Sequence, residues 1–174
     1  MLKILNNFVL NPLSWWALAL SALGLEFSAL YFQYVMELEP CIMCIYQRVA
    51  ILAILFAGVI GALANTYLVA RLIGFTLWAV GSIWGLQIAL EHVDIQQADS
   101  FFYTCDIIPN FPSWLPLDEW LPSIFAATGD CGEIAWSFLG YSMPQWMIVV
   151  YSIYVLLFAI FFTSRIVSLL DQQK

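Results

Sequence analysis

The run MCIYQRVAILAILFAGVIGALA, residues 43–64, carries a single charged side chain, Arg48. A helix needs roughly 20 apolar residues to cross a bilayer core, so this stretch reads as a membrane span. Three further runs have the same character: about 14–36 (SWWALALSALGLEFSALYFQYVM), 71–91 (RLIGFTLWAVGSIWGLQIALE) and 145–164 (QWMIVVYSIYVLLFAIFFTS). The whole chain of 174 residues is 63% hydrophobic and only 10% charged. Soluble domains average about 25% charged residues, so this chain lacks the polar surface to stay in water. The first apolar run is too long for the h-region of a signal peptide and no A-x-A-like site follows it, so it is expected to stay attached. With no repeats or low-complexity tracts, the pattern predicts one all-α domain over 1–174. It would be a four-transmembrane-helix bundle with a long loop at about 92–144.

Basic residues set the orientation. Lys3 precedes the first span, Arg71 lies between the second and third, and Arg165 and Lys174 follow the fourth. These four share one side, which the positive-inside rule makes cytoplasmic. Both termini are then expected inside, and Arg48 is the one basic residue on the other face. All four cysteines fall on that outer face: Cys41 and Cys44 between spans one and two, Cys105 and Cys131 in the long loop. In a bacterial inner membrane the outer face is the periplasm, where disulfides persist. Four cysteines allow three pairings. The C-x-x-C spacing favours Cys41–Cys44, which leaves Cys105 with Cys131.

Structural staples are the plain alternative. That account serves 105–131, where a long loop gains from closure, but serves 41–44 poorly, because closing so short a ring removes little chain entropy. A small ring at a helix start reads better as redox-active. A zinc site is a third reading. Against it, the second cysteine pair is widely spaced, and the only histidine, His92, does not stand at ligand spacing.

Pro40 suits a first helical position, which would put Cys41 and Cys44 in the opening turns of span two. Offsets of three and seven from Cys41 then bring Cys44 and Arg48 onto one face. The helix N-terminus and the guanidinium both favour a thiolate there. A charge within a span is costly and marks a functional candidate, while snorkelling to the headgroups is the other reading of Arg48. An activated dithiol at a membrane edge needs a two-electron acceptor. The chain has no haem, flavin or iron–sulfur motif, and a lipid-soluble quinone would be within reach. Arg48 could polarise a quinone carbonyl as well as hold the Cys44 thiolate.

C-I-M-C-I-Y-Q-R at 41–48, Y-T-C-D around Cys105, F-P-S-W-L-P-L-D-E-W at 111–120, G-D-C at 129–131 and M-P-Q-W at 143–146 occur in that order. Together they make the chain resemble the DsbB family of bacterial inner-membrane disulfide-forming proteins, over nearly its whole length. Met43 stands where that family often has leucine, a substitution that flexible methionine packing accommodates. The resemblance implies a thiol:quinone oxidoreductase that reoxidises DsbA, a soluble periplasmic thioredoxin-fold oxidase. The implied cofactor is ubiquinone or menaquinone from the membrane pool, contacted by Cys44, Arg48, His92, Met143 and Trp146. The implied catalytic set is Cys41, Cys44, Cys105, Cys131 and Arg48. A DsbA thiolate would attack at Cys105, the released Cys131 would attack Cys41, and Cys44 would leave as a thiolate. Because DsbA is a strong oxidant at about −120 mV, the quinone must supply the driving force. Besides the lipid bilayer, no other partner is implied, and nucleic acid is not expected.

Prolines at 109, 112, 116 and 122 prevent a long helix in the loop. Trp114, Leu115, Leu117, Trp120, Leu121, Ile124 and Phe125 read as the face of a short interfacial helix. Such a helix could hold Cys131 near Cys41, with ordinary packing against the bundle as the alternative. Glu26, inside span one, is either functional or neutral and hydrogen-bonded between helices. His92 could give a proton or hydrogen bond to a quinone oxygen, or simply pack. Gln47 reads as a helix contact without chemistry. Two other functions compete: a reductase that passes electrons to periplasmic partners, and a structural membrane protein with stapled loops.

Overall fold

The computed structural model describes residues 9–98 and 109–171. Cys105 and its pairing with Cys131, along with Lys3 and Lys174, lie outside the described residues. Four long helices dominate. Helix α1 is Pro12–Tyr34, α2 Ile42–Leu63, α3 Leu68–Gln97 and, after the loop, α6 Met143–Asp171. All four are long and apolar enough to cross a membrane. Between them lie two single-turn helices, α4 (Leu117–Trp120) and α5 (Pro122–Phe125), and the two-residue strands β1 (Ser137–Phe138) and β2 (Tyr141–Ser142).

Local chemistry fixes the helix starts. Asn11 caps α1, its side chain accepting from the Leu13 N–H at 3.0 Å, with Pro12 at the first helical position. At α2 the cap is Cys41 itself, whose sulfur accepts from the Cys44 N–H at 3.4 Å. Pro40 therefore stands outside the helix and not at its first position, and Cys41 is a capping residue with extended backbone. The third span also differs from expectation. Hydropathy ends it near Glu91, whereas the helix runs on to Gln97, because hydropathy marks where apolar surface stops and not where backbone hydrogen bonding stops. At 1.5 Å per residue α3 is roughly 45 Å long, well beyond a hydrocarbon core of about 30 Å.

The single interfacial helix expected in the loop is two separate turns. Leu121, at φ −135°, ends α4 and precedes Pro122 at the start of α5. The apolar face expected there also divides: Phe125 is buried, while Trp114, Trp120 and Leu121 stay exposed. β1 and β2 pair antiparallel as a hairpin through Leu139 and Gly140, both at positive φ as a tight two-residue turn requires.

The helices pack in a row: α1 on α2, α2 on α3, α3 on α6. The core at the end away from the cysteines is aromatic, with Trp15 edge-on to Phe75 (5.1 Å between centroids) and Trp78 (6.1 Å). Small residues let backbones approach. Any Cβ at Gly85 of α3 would strike the buried Tyr151 ring of α6. That ring's hydroxyl crosses to α2, donating to the Gln47 carbonyl at 2.7 Å. Exposed Leu20, Phe27, Val149, Ile153 and Leu156 on α1 and α6 make an outer surface suited to lipid and not to water.

Candidate active site

Where α1 meets α6 the bundle is bridged by Ser21 and Tyr154, whose hydroxyls lie 2.9 Å apart. Between the two helices lies a cavity of about 270 Å³. Its walls are largely apolar, from Leu25, Ala29 and Phe32 of α1, Ile51 of α2, and Met147 and Val150 of α6. Among its polar lining residues Glu26, Cys41, Cys44, Gln47, Arg48 and His92 come from α1, α2 and α3, and Glu39, Asp130 and Glu133 of the connecting segments border it as well. Met143 and Trp146 line it too, so all five residues expected to contact a quinone border one space.

The two C-x-x-C sulfurs are 3.1 Å apart, near enough for a disulfide of about 2.05 Å to form with a small shift. Cys41 also packs against Cys131 and Ile95 in a buried cluster, so it stands between Cys44 and the loop cysteine. The loop is clipped into place to achieve this. The N–H groups of Thr128 and Gly129 both donate to the Pro40 carbonyl, at 2.9 and 3.1 Å. Gly129 lies so close to the Glu39 carbonyl that a Cβ there would overlap it. The thiol of Cys41 is pushed up to about 12: its contact with Cys131 and the Cys44 backbone N–H both lower it, but they are outweighed by the side-chain hydrogen bond with Cys44, by burial and by the nearby Cys44 charge. Cys41 is thus a poor leaving group and a poor nucleophile near neutral pH.

Arg48 does not reach for headgroups. It is buried, with its Nε 3.8 Å from Glu26 Oε2, and its Nη1 donates to Gln33 Oε1 at 3.0 Å and to the Ile124 carbonyl. Gln33 Nε2 (2.9 Å) and the Tyr34 hydroxyl donate to the neighbouring Ser123 carbonyl. One cation therefore ties α1, α2 and the end of α5 together, and Arg48 is not remote from the loop as its sequence position suggests. Glu26 is its partner within the bundle. Among the described residues Glu26 Oε1 and Arg48 Nε are buried without a hydrogen bond, Nε meeting Glu26 Oε2 only as an ion pair, and both residues line the cavity.

His92 stands within reach of the cysteines, contrary to the spacing argument. Its Nε2 is 3.6 Å from Cys41 Sγ, and its Nδ1 is 3.4 Å from the Gln47 amide nitrogen. The continuation of α3 past Glu91 brings it there. Gln47 is consequently more than a helix contact, since it orients the imidazole that touches the dithiol. Sequence offers no signal for either contact, because they join residues 51 and 45 positions apart.

Comparison with known proteins places the chain in a family. The family model described as disulfide bond formation protein DsbB matches residues 11–161. Relatives described as disulfide bond formation protein B include one from Psychromonas ingrahamii, 54% identical over 95% of this chain and 94% of its own length. One from Pseudoalteromonas atlantica is 53% identical over 96% and 98%, and one from Aeromonas salmonicida 46% identical over 97% of both.

Proposed function

The chain belongs to the DsbB family of disulfide bond formation proteins, and from that premise we propose that it is a thiol:quinone oxidoreductase that reoxidises a soluble DsbA-like dithiol oxidase. The family carries the coarser statement, a disulfide-forming oxidoreductase of the membrane. The finer one rests on a single observation: Cys41 lies between Cys131 and Cys44, at the wall of an apolar cavity that Arg48 also lines.

The exchange sequence follows from that placement. A partner thiolate attacks Cys105, breaking the Cys105–Cys131 bond and releasing the Cys131 thiolate. Cys131 attacks its neighbour Cys41, which forms Cys41–Cys131 and breaks Cys41–Cys44. Attack at Cys41 is favoured because the better thiolate should depart, and Cys41, held protonated up to about pH 12 when free, is the worse one. Cys44 leaves beside the Arg48 charge. The partner's second thiol then displaces Cys105, which attacks Cys131, restoring Cys105–Cys131 and returning Cys41 as a thiol. The balance is one partner disulfide formed and one Cys41–Cys44 dithiol left.

A quinone bound in the cavity supplies the acceptor for the two electrons and two protons of that dithiol. The residues fit such a group: the walls are apolar, and Arg48 Nε, which makes no hydrogen bond among the described residues, can donate to a carbonyl oxygen. Cys44, Arg48, His92, Met143 and Trp146 would hold it. We place the cysteine end in the periplasm and both termini in the cytoplasm of a bacterial inner membrane. Arg71 and Arg165 lie within electrostatic reach of each other at the opposite end, as the positive-inside rule asks. Purified protein given reduced DsbA and a quinone under anaerobic conditions should form one quinol per disulfide made. Disulfide exchange without quinol formation would defeat the proposal, and a reporter at Lys174 active only outside the cytoplasm would defeat its topology.

A further inference from the structure

Among the described residues, Cys41, Cys44 and His92 bring two sulfurs and a ring nitrogen within 4.8 Å of one another. We propose that the fully reduced centre, with Cys131 as fourth donor, is a binding site for a thiophilic divalent cation such as zinc, and that occupancy holds the dithiol reduced. In tetrahedral zinc sites Zn–S is about 2.3 Å and Zn–N about 2.0–2.1 Å. Neighbouring ligand atoms then stand roughly 3.5–3.8 Å apart. Cys41 Sγ to His92 Nε2 is already 3.6 Å, and Cys41 Sγ to Cys44 Sγ, at 3.1 Å, needs only a small opening. Cys131 packs on Cys41, but its sulfur lies outside the group of donors mutually within 4.8 Å, so it must close on them to complete a three-cysteine, one-histidine set of the structural type.

The surroundings favour a metal as well. A ligating histidine usually donates its second N–H to a carbonyl group that fixes the ring. Gln47 faces His92 Nδ1 at 3.4 Å, and turning its amide end for end, a half-rotation that leaves its shape unchanged, presents the carbonyl to that N–H. Three thiolates with a dication leave one net negative charge, and Arg48 stands one turn beyond Cys44 to offset it. Binding is ligand exchange without redox change: three Zn–S bonds and one Zn–N bond replace bound waters, and thiol protons leave to solvent. The oxidised centre offers no thiolates and should not bind. Trapping of the dithiol would block its reoxidation, a consequence that rests on the function proposed above, whereas the binding itself does not.

The test uses full-length protein in detergent, reduced with a phosphine and then dialysed against zinc or cadmium with a competing chelator. One equivalent should bind to reduced protein and none to oxidised protein, and bound cadmium should show thiolate charge-transfer absorption for three sulfurs. His92→Ala and Cys131→Ser should each weaken binding at least tenfold, Gln47→Leu by about 10–100-fold, and Cys105→Ser not at all. Equal affinity in His92→Ala and Gln47→Leu, or dependence on Cys105, would overturn the site, as would the absence of binding in protein that still reduces quinone. Stoichiometric binding in protein that reduces no quinone would uphold the site and defeat the catalytic reading instead.

Discussion

The two ends of this bundle are built on different principles. At the end away from the cysteines, Trp15, Phe75, Trp78 and Phe158 fill space ring against ring, and the space beside Trp15 and Phe161 is only about 30 Å³. At the cysteine end the helices leave about 270 Å³ between α1 and α6, and a buried cation, a carboxylate and an imidazole converge on it. Dispersion holds the first region, and it is indifferent to which rings supply it so long as volume is kept. The second is held by directional bonds with single partners, so removing one partner strands another. The aromatic end thus carries packing without chemistry, whereas the cysteine end carries both.

Arg48→Met should strike hardest, because it breaks both roles at once. It strands Glu26 and frees the Gln33 and Ile124 oxygens. Breaking a buried pair by removing one member costs about 3–5 kcal/mol. Loss of a positioned donor lowers turnover by about 10²–10³-fold. Adding Glu26→Gln should recover much of the stability in chemical denaturation and none of the quinone reduction. Because Arg48 also holds the loop at Ile124, single-turnover exchange with reduced DsbA should slow in Arg48→Met, and full-speed exchange would show the loop to be held without it. Trp15→Ala should cost stability on the same scale, about 3–5 kcal/mol, while each folded molecule turns over as before. A catalytic defect there would break the separation of the two ends.

Much of this contrast was legible in the sequence, and what was missed shares one physical cause. Periodicity and hydropathy report on the chain within a turn or two, so the four spans, the C-x-x-C face and the isolated Arg48 could all be read. The pairing of Arg48 with Glu26, the contact of Cys41 with His92 and the docking of residues 128–129 on Pro40 depend on how separate helices are set against one another. Local pattern carries no record of that. Even the misplaced start of α2 is of this kind. Pro40 has the local preference for a first helical turn, but its carbonyl is taken by the N–H groups of Thr128 and Gly129, and Cys41 takes the cap.

Gly129→Ala tests that docking directly. Its new methyl would meet the Glu39 carbonyl and push the segment bearing Cys131 off Pro40. A displacement of about 1 Å between reacting groups can cost on the order of 10²-fold in rate. The Cys131-to-Cys41 exchange should therefore slow by about that factor, seen as delayed appearance of the Cys41–Cys131 bond in quenched samples. Quinone reduction by chemically reduced protein should be untouched, since of the cysteines it draws only on Cys41 and Cys44. Equal slowing of both steps would mean that the loop shapes the cavity and does not merely present a thiol.

The smallest effects belong to the boundary between the two regions, the Ser21–Tyr154 bridge. Ser21 Oγ donates to the Leu18 carbonyl at 2.8 Å, so its proton is committed and Tyr154 must be the donor across the 2.9 Å gap. Tyr154→Phe then removes a donor and leaves Ser21 with its own bond intact, at a cost of about 0.5–1.5 kcal/mol. Ser21→Ala instead leaves the mostly buried Tyr154 hydroxyl without an acceptor, and an unsatisfied buried group costs about 1–3 kcal/mol. Denaturation of both variants should rank Ser21→Ala as the more damaging. Neither should alter exchange with DsbA, because among the described residues no cysteine is bonded to the bridge. If Tyr154→Phe were the worse of the two, the proton would have to run the other way, from Ser21 to Tyr154, and the Leu18 carbonyl would lose its donor.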